Sequence, residues 1–238
     1  MRHPMRHLFL PIGIQLCRRA YAEAGFGKWK PRFCNGLFGW TIYLLNLLEQ
    51  LKTGTSHLHR ALESELDLLR PGFRISEYME LLERFYGFYV VWEPEVDRRL
   101  CQISGLDLQR RAKTPLLASD LTSLGYDSIR LSRLARCKDV PTYHSPEMLL
   151  GGLYVTEGST LGGLFLAQHF RKSLGLRPGA GVSFFSSYEG EVGSMWNRFR
   201  SLLTETVAPE KESHVVRGAI LTFECMHSWL CSERAVLA

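Results

Sequence analysis

The chain has 238 residues, 29 Lys and Arg against 24 Asp and Glu, a formal net charge of +5, 45% hydrophobic residues and 22% charged residues. At about 150 residues per domain this is one domain or a small pair, long enough to bury a core without metal or disulfide staples. The composition is that of an ordinary globular protein and excludes a mainly disordered chain, a collagen-like fibre and a multi-span membrane protein.

The positive charge is concentrated at the N-terminus. Residues 1–48 hold Arg2, Arg6, Arg18, Arg19, Lys28, Lys30 and Arg32 but a single acid, Glu23, while the rest of the chain is close to neutral. The excess therefore gives the main body no case for binding nucleic acid. The segment is a poor secretory signal, because Arg18 and Arg19 separate the apolar run Leu8–Leu16 from the Ala20-Tyr21-Ala22 site. It is a poor transit peptide because it lacks serine. Residues 1–42 are read as a basic extension outside the working fold and 43–238 as the domain. Six cysteines, Cys17, Cys34, Cys101, Cys137, Cys225 and Cys231, form no C-x-x-C pair. They read as reduced, mostly buried thiols of a cytoplasmic protein. The apolar stretch Leu37–Leu48 is shorter than the roughly 20 residues a membrane span needs, so none is expected.

The first predicted helix covers 41–69, where Leu44, Leu47, Leu48, Leu51, Leu58, Leu62, Leu66 and Leu69 recur at helical spacing. Arg70-Pro71-Gly72 stops it. Ser76, with Glu80 nearby, opens a second helix over 76–100, whose aromatics Phe85, Tyr86, Phe88, Tyr89 and Trp92 belong to the core. Pro94 is expected to bend or interrupt it. A short helix follows at 115–124. Ser145-Pro146-Glu147 pairs an N-cap with a proline at the first helical position and starts a long helix to Leu174, closed by Gly175. Arg177-Pro178-Gly179-Ala180-Gly181 is a loop, and two last helices fill 183–206 and 209–233. No strand alternation is present. The fold class is all-α, a compact multi-helix bundle of six to eight helices.

Two helices carry unusual residues. The helix from Ser145 contains Gly151, Gly152, Gly158, Gly162 and Gly163. Each glycine costs about 1 kcal/mol against alanine in a helix, so five need a reason. Gly158 and Gly162, four apart, bare one face, either for close helix packing or for a large flat ligand, and allow a bend. No phosphate-binding loop pattern is present. On the first helix, His57 and His59 are two apart and point about 200° away from each other, so they cannot share a metal. His59 has Glu63 one turn on. That is either an ordinary surface pair or a ligand imidazole whose ring is fixed through Nδ1. No H-E-x-x-H motif or repeated Glu-x-x-His motif accompanies it.

Together, Leu51-Lys52-x-x-Thr55-x-x-x-His59-x-x-x-Glu63 and Gly151-Gly152-Leu153-Tyr154-Val155-Thr156-Glu157-Gly158-Ser159-Thr160-Leu161-Gly162-Gly163 resemble the proximal and distal helices of heme oxygenases. They look closest to the bacteriophytochrome-associated bacterial branch, as do Lys113-Thr114-Pro115-Leu116-Leu117, Asp120-Leu121, Trp196-x-x-Phe199, Thr222-Phe223 and Trp229-Leu230. The resemblance covers about 45–232. It implies a heme oxygenase-like bundle that cleaves heme, both substrate and prosthetic group, to biliverdin, CO and Fe2+. O2 and electrons from a ferredoxin, flavodoxin or reductase would be consumed, and a bacteriophytochrome could accept the biliverdin. It implies His59 as proximal iron ligand, Glu63 as its ring acceptor, and Gly158, Gly162 and Gly163 as the distal face and kink. Ser159 and Thr160 would be water holders, and Lys52, Thr55, Arg198 and Arg200 cofactor contacts. Ser159 stands where many relatives have Asp, and Leu164 where Gln is common. The alternatives are a non-catalytic heme carrier or sensor, and a heme-free enzyme of the same fold, thiaminase-like or quinone-cofactor-synthesising.

Overall fold

The computed structural model describes residues 46–177 and 180–232. The extension read over 1–42, the first residues of the first predicted helix, and Pro178-Gly179 of the predicted loop lie outside the described residues. Helix α1 spans Leu47–Leu66. Its start is a reciprocal cap: the Asn46 side chain accepts from the Glu49 amide at 3.1 Å, and the Glu49 carboxylate accepts from the Asn46 amide at 3.3 Å. The stripe Leu47, Leu51, Thr55 and Leu62 is buried.

Helix α2 spans Ile75–Leu100. Its cap is Arg74, not Ser76, because Glu77 reaches back to the Arg74 amide at 2.8 Å. Pro94 does not interrupt it. The roughly 3 kcal/mol cost of an interior proline is outweighed by Tyr89, Trp92, Val96 and Leu100, each buried around it and each contributing a few kcal/mol. Two short helices not predicted from the sequence, α3 (Leu108–Arg111) and α5 (Ser128–Ser132), flank α4 (Thr114–Ser123).

Ser145 caps α6 as predicted, accepting from the Met148 amide at 3.4 Å. The long glycine-rich helix is, however, two helices. Helix α6 (Pro146–Ser159) passes through a 3-10 turn, Thr160–Gly162, into α7 (Gly163–Leu174). The change of direction falls inside the Gly158–Gly163 run. Gly175 ends α7 with φ 63°.

The helix predicted over 183–206 begins only at Val192, as α8 (Val192–Thr206), after a 3-10 turn at Glu189–Glu191. The first residues are held otherwise. The fully buried carboxylate of Asp120 accepts from the Ser183 and Phe184 amides at 2.7 and 2.8 Å. Phe184 and Phe185 are both buried against the aromatics of α2 and α7. The last predicted helix opens as a 3-10 turn, Pro209–Lys211, and continues as α9 (Glu212–Cys231).

Helix α9 is the central strut, packing on α6 and α1, while α2 packs on α4. Backbone meets backbone where α6 crosses α9. A Cβ on Gly151 would overlap the Val215 carbonyl, and one on Gly218 would overlap the Met148 carbonyl. Among the described residues there is no strand and no helix long and apolar enough to cross a membrane. Cys101 is exposed, Cys137 and Cys225 are buried, Cys231 is half-buried, and all four are free thiols. Cys17 and Cys34 lie outside the described residues.

Candidate functional site

On α1, His59 and Glu63 face the same way one turn apart. The His59 Nδ1 lies 3.4 Å from a Glu63 oxygen, with the side chains 40% and 46% exposed. Phe223 of α9 meets the His59 ring edge-on, with centroids 5.8 Å apart and planes at 89°. The ring thus stands between a carboxylate on its Nδ1 side and an aromatic wall, an arrangement that could orient Nε2 toward a metal. His57 is exposed on another face of the helix. Lys52 is exposed on α1. Thr55 is buried, and its hydroxyl donates to the Leu51 carbonyl at 2.7 Å, so its proton is used within the helix.

The five glycines divide into two groups. Gly151, Gly152 and Gly163 are buried packing glycines. A Cβ on Gly152 would press on Thr222, Trp92 and Tyr143, and one on Gly163 would overlap the Phe185 carbonyl. Gly158 and Gly162 are different. A Cβ on Gly158 would meet only the Trp196 ring, at 3.7 Å, and a Cβ on Gly162 would meet nothing within 4 Å. At Gly162 the backbone borders open space, and at Gly158 it leaves room for a Cβ beside the Trp196 ring. Ser159 is exposed and Thr160 buried. Their hydroxyls donate to the Thr156 and Glu157 carbonyls at 2.8 and 2.7 Å. Each oxygen can still accept from a water. A bare glycine face and a ring-fixed imidazole are what a flat, iron-bearing macrocycle needs, and the donor set fits such a group.

Helix α8 touches both α1 and the 3-10 turn, and so links the two halves of the site. It carries Arg198, exposed, and Arg200, half-buried. Two apart on a helix, they point about 200° away from each other, so the two do not address one ligand edge from the same face.

Beneath the glycine turn lies a charged cluster that the sequence reading missed. Glu157, the residue before Gly158, is buried and ion-paired with buried Arg111. It also accepts from the Tyr188 hydroxyl at 2.8 Å, and the Lys113 ammonium lies 3.9 Å from it. Arg111 donates in addition to the Leu106 carbonyl at 2.7 Å. Lys113 sits over the Tyr188 ring, 3.9 Å from the centroid. Burial pushes its pKa down to about 8, against the pull of Glu157 and Glu93. Burial raises the Glu93 carboxyl, although the Lys113 and Thr114 amides donate to it. Tyr89 is held well above its ordinary value, by burial first and then by Glu93 and Glu157. The turn therefore rests on a buried scaffold of fixed charges. Little in the sequence marks it: Glu157 interrupts a largely apolar helix, but Arg111 and Lys113 stand in the polar run Gln109–Thr114 and look like surface residues.

A polar cleft of about 450 Å³ opens elsewhere, between Arg110, Arg171, Ser183, Ser186 and Glu191. It contains none of the residues predicted for the site.

The heme oxygenase family model matches residues 45–232. A relative from Xanthomonas campestris, named heme oxygenase, is 27% identical over 158 residues, covering 66% of this chain and 90% of its own. Among solved structures, the fold is similar to a heme oxygenase from Neisseria meningitidis, with TM-score 0.65 and 20% identity over 81% of this chain and 96% of that one. It is also similar to one from Leptospira interrogans, with TM-score 0.62 and 20% identity over 79% and 99%. A third, from Synechocystis in complex with heme, gives TM-score 0.62 and 19% identity over 78% and 91%.

Proposed function

The chain belongs to the heme oxygenase family, and we propose that it cleaves heme to biliverdin, CO and Fe2+, consuming O2 and electrons from an external donor. The His59–Glu63 pair carries this reading: a ring oriented by a carboxylate at Nδ1 and by Phe223 at its edge offers Nε2 to heme iron. Gly158 and Gly162 would supply the second wall, since backbone there takes the place of side chains and would let a flat ligand approach. Gly163 makes the kink possible by letting α7 seat against Phe185.

Bound heme supplies the iron that activates O2 and the ring that is oxidised, so the protein's part is ligation, steric aim and proton supply. Ser159 and Thr160 are the water holders. Because both hydroxyl protons are engaged with carbonyls, the two oxygens would hold a water by accepting from it. Buried Tyr89 is kept protonated by its surroundings. The Glu157–Arg111 pair fixes the end of α6 just before the turn, so that the bare face keeps its shape. Of the expected cofactor contacts, Lys52 and one of Arg198 and Arg200, which leave α8 on different faces, would serve the heme propionates, and buried Thr55 would line the site without giving up its proton.

The run Tyr154-Val155-Thr156-Glu157-Gly158-Ser159-Thr160-Leu161-Gly162-Gly163 supports a place in the bacteriophytochrome-associated branch, with such a photoreceptor as biliverdin acceptor. A ferredoxin, flavodoxin or reductase delivers the electrons in the cytoplasm. Residues 1–42 are an extension dispensable to the domain from residue 43. Titrating hemin into the wild type and His59→Ala tests the central assignment. The variant is expected to lose the ferric spectrum of the imidazole-ligated complex; an unchanged spectrum would exclude His59 as the ligand.

A further inference from the structure

Among the described residues, one group of side chains has the spacing of a metal site, and it lies outside everything assigned above. Glu65 sits in the last turn of α1, and His227 and Cys231 lie one turn apart in the last turns of α9. Their donor atoms all lie within 4.8 Å of one another, and the His227 Nε2 is 2.8 Å from a Glu65 oxygen. The Cys231 sulfur lies within 4.8 Å of the same carboxylate. The i, i+4 spacing turns the imidazole and the thiol to one side of α9, and Glu65 comes across from α1 to meet both.

We propose that Glu65, His227 and Cys231 form a binding site for a borderline-soft divalent cation, zinc by chemical class, that fastens the end of α1 to the end of α9. One nitrogen, one sulfur and one carboxylate oxygen is a donor set that suits zinc and leaves magnesium and calcium unserved, since those ions take oxygen ligands. Zinc bonds of about 2.0–2.3 Å in a tetrahedron place the donors about 3.3–3.7 Å apart, within the spacing present, so only small side-chain motion is needed.

Glu65 and His227 are 52% and 37% exposed. An ion can reach them, and solvent fills the fourth position. Burial raises the Cys231 thiol to about 11, so it carries its proton before the ion arrives. Binding exchanges that S–H proton for a sulfur–metal bond and releases H⁺ to solvent, with no change in oxidation state. Arg84, whose charge acts on Cys231, spends its guanidinium hydrogen bonds on Glu80, the Trp229 carbonyl and the Ser232 hydroxyl. The site lies on the helix that bears His59, two residues beyond Glu63, yet it shares no residue with the heme reading and does not depend on it.

Titration of the full chain with Co2+ as a zinc probe tests the proposal, on heme-free and heme-loaded protein. One equivalent is expected to give the near-ultraviolet thiolate-to-cobalt band, which zinc then bleaches. The band is expected to vanish in Cys231→Ser, to need at least about tenfold more cobalt in His227→Asn and Glu65→Gln, and to persist in His59→Ala. Zinc should raise the melting temperature of the wild type and not that of Cys231→Ser. No thiolate band at one equivalent would overturn the site. So would a band unchanged in Cys231→Ser, which would assign it to another cysteine. If Cys231→Ser does not fold, the same titration of Glu65→Gln and His227→Asn decides, and unaltered binding in both refutes the site.

Discussion

Gly162 and Gly163 are neighbours in the chain, yet alanine at the two positions is expected to act in opposite directions. At Gly162 the backbone has φ −87° and an added Cβ meets nothing within 4 Å. Gly162→Ala therefore removes unfolded-chain freedom without strain and should stabilise the heme-free protein by about 0.4–1 kcal/mol. At Gly163 the added carbon would overlap the Phe185 carbonyl oxygen, with the carbonyl carbon only 3.2 Å away. Backbone cannot rotate aside as a side chain does, and Phe185 is wedged among Tyr78, Phe85, Phe170 and Phe184. Overpacking of this kind costs about 1–3 kcal/mol, which the better helix propensity of alanine only partly offsets. The two variants should differ by about 2 kcal/mol in urea denaturation of heme-free protein. Heme binding should separate them in the reverse sense. Gly162→Leu projects into the proposed heme space and should weaken hemin binding at least about tenfold while leaving the fold intact. Equal stability of the two alanine variants, or unimpaired hemin binding by Gly162→Leu, would refute the division of the glycines into packing and ligand-facing sets.

The charged cluster gives a second pair. Arg111→Met leaves Glu157 buried without its closest partner and should cost about 3–5 kcal/mol, whereas Lys113→Met keeps the Arg111 and Tyr188 contacts and should be neutral or stabilising in chemical denaturation. Lys113 also sets a pH signature. Below about pH 8 it is charged in both folded and unfolded chains, and the burial cost is fully present. Between about 8 and 10.5 the unfolded chain holds the proton that the folded one has lost, so stability relative to Lys113→Met should rise with pH by up to about 3 kcal/mol. A difference that is flat, or falls, across that window would show that Lys113 is not buried as described. Gly158→Leu forces bulk against Trp196, 3.7 Å from the Cβ position, and should impair heme binding and turnover together; intact turnover would count against the distal wall. Removal of residues 1–42 should leave the hemin titration unchanged, and an unfolded product would make the extension part of the domain.

Local signals in the sequence located most helices. Ser145-Pro146 marked the start of α6 to the residue, because a cap side chain and a proline act within a few positions. The segment 183–191 was misread because its conformation is set from a distance. The Asp120 carboxylate, on α4, takes the Ser183 and Phe184 amides that a helix would have left free at its start. The break between α6 and α7 was foreshadowed by the glycines. Which of them pack and which face open space depends on Val215, Phe185 and Trp196, all far along the chain. The His59–Glu63 pair was legible from helical spacing alone. Its aromatic wall, Phe223, required the tertiary structure. Arg111, Lys113 and Glu157 were invisible as a site because charged residues ordinarily belong to the surface, and only their burial together makes them informative.

The most direct test is a single turnover. Purified full-length protein is loaded with one equivalent of hemin and given ascorbate in air, with catalase present to remove free peroxide, while the visible spectrum and released CO are followed. The account predicts loss of the Soret band with growth of a broad red absorption, one biliverdin and one CO per heme, and none of this in His59→Ala. A Soret band that persists under reductant would mean that the chain holds heme without cleaving it, and would contradict the proposed function.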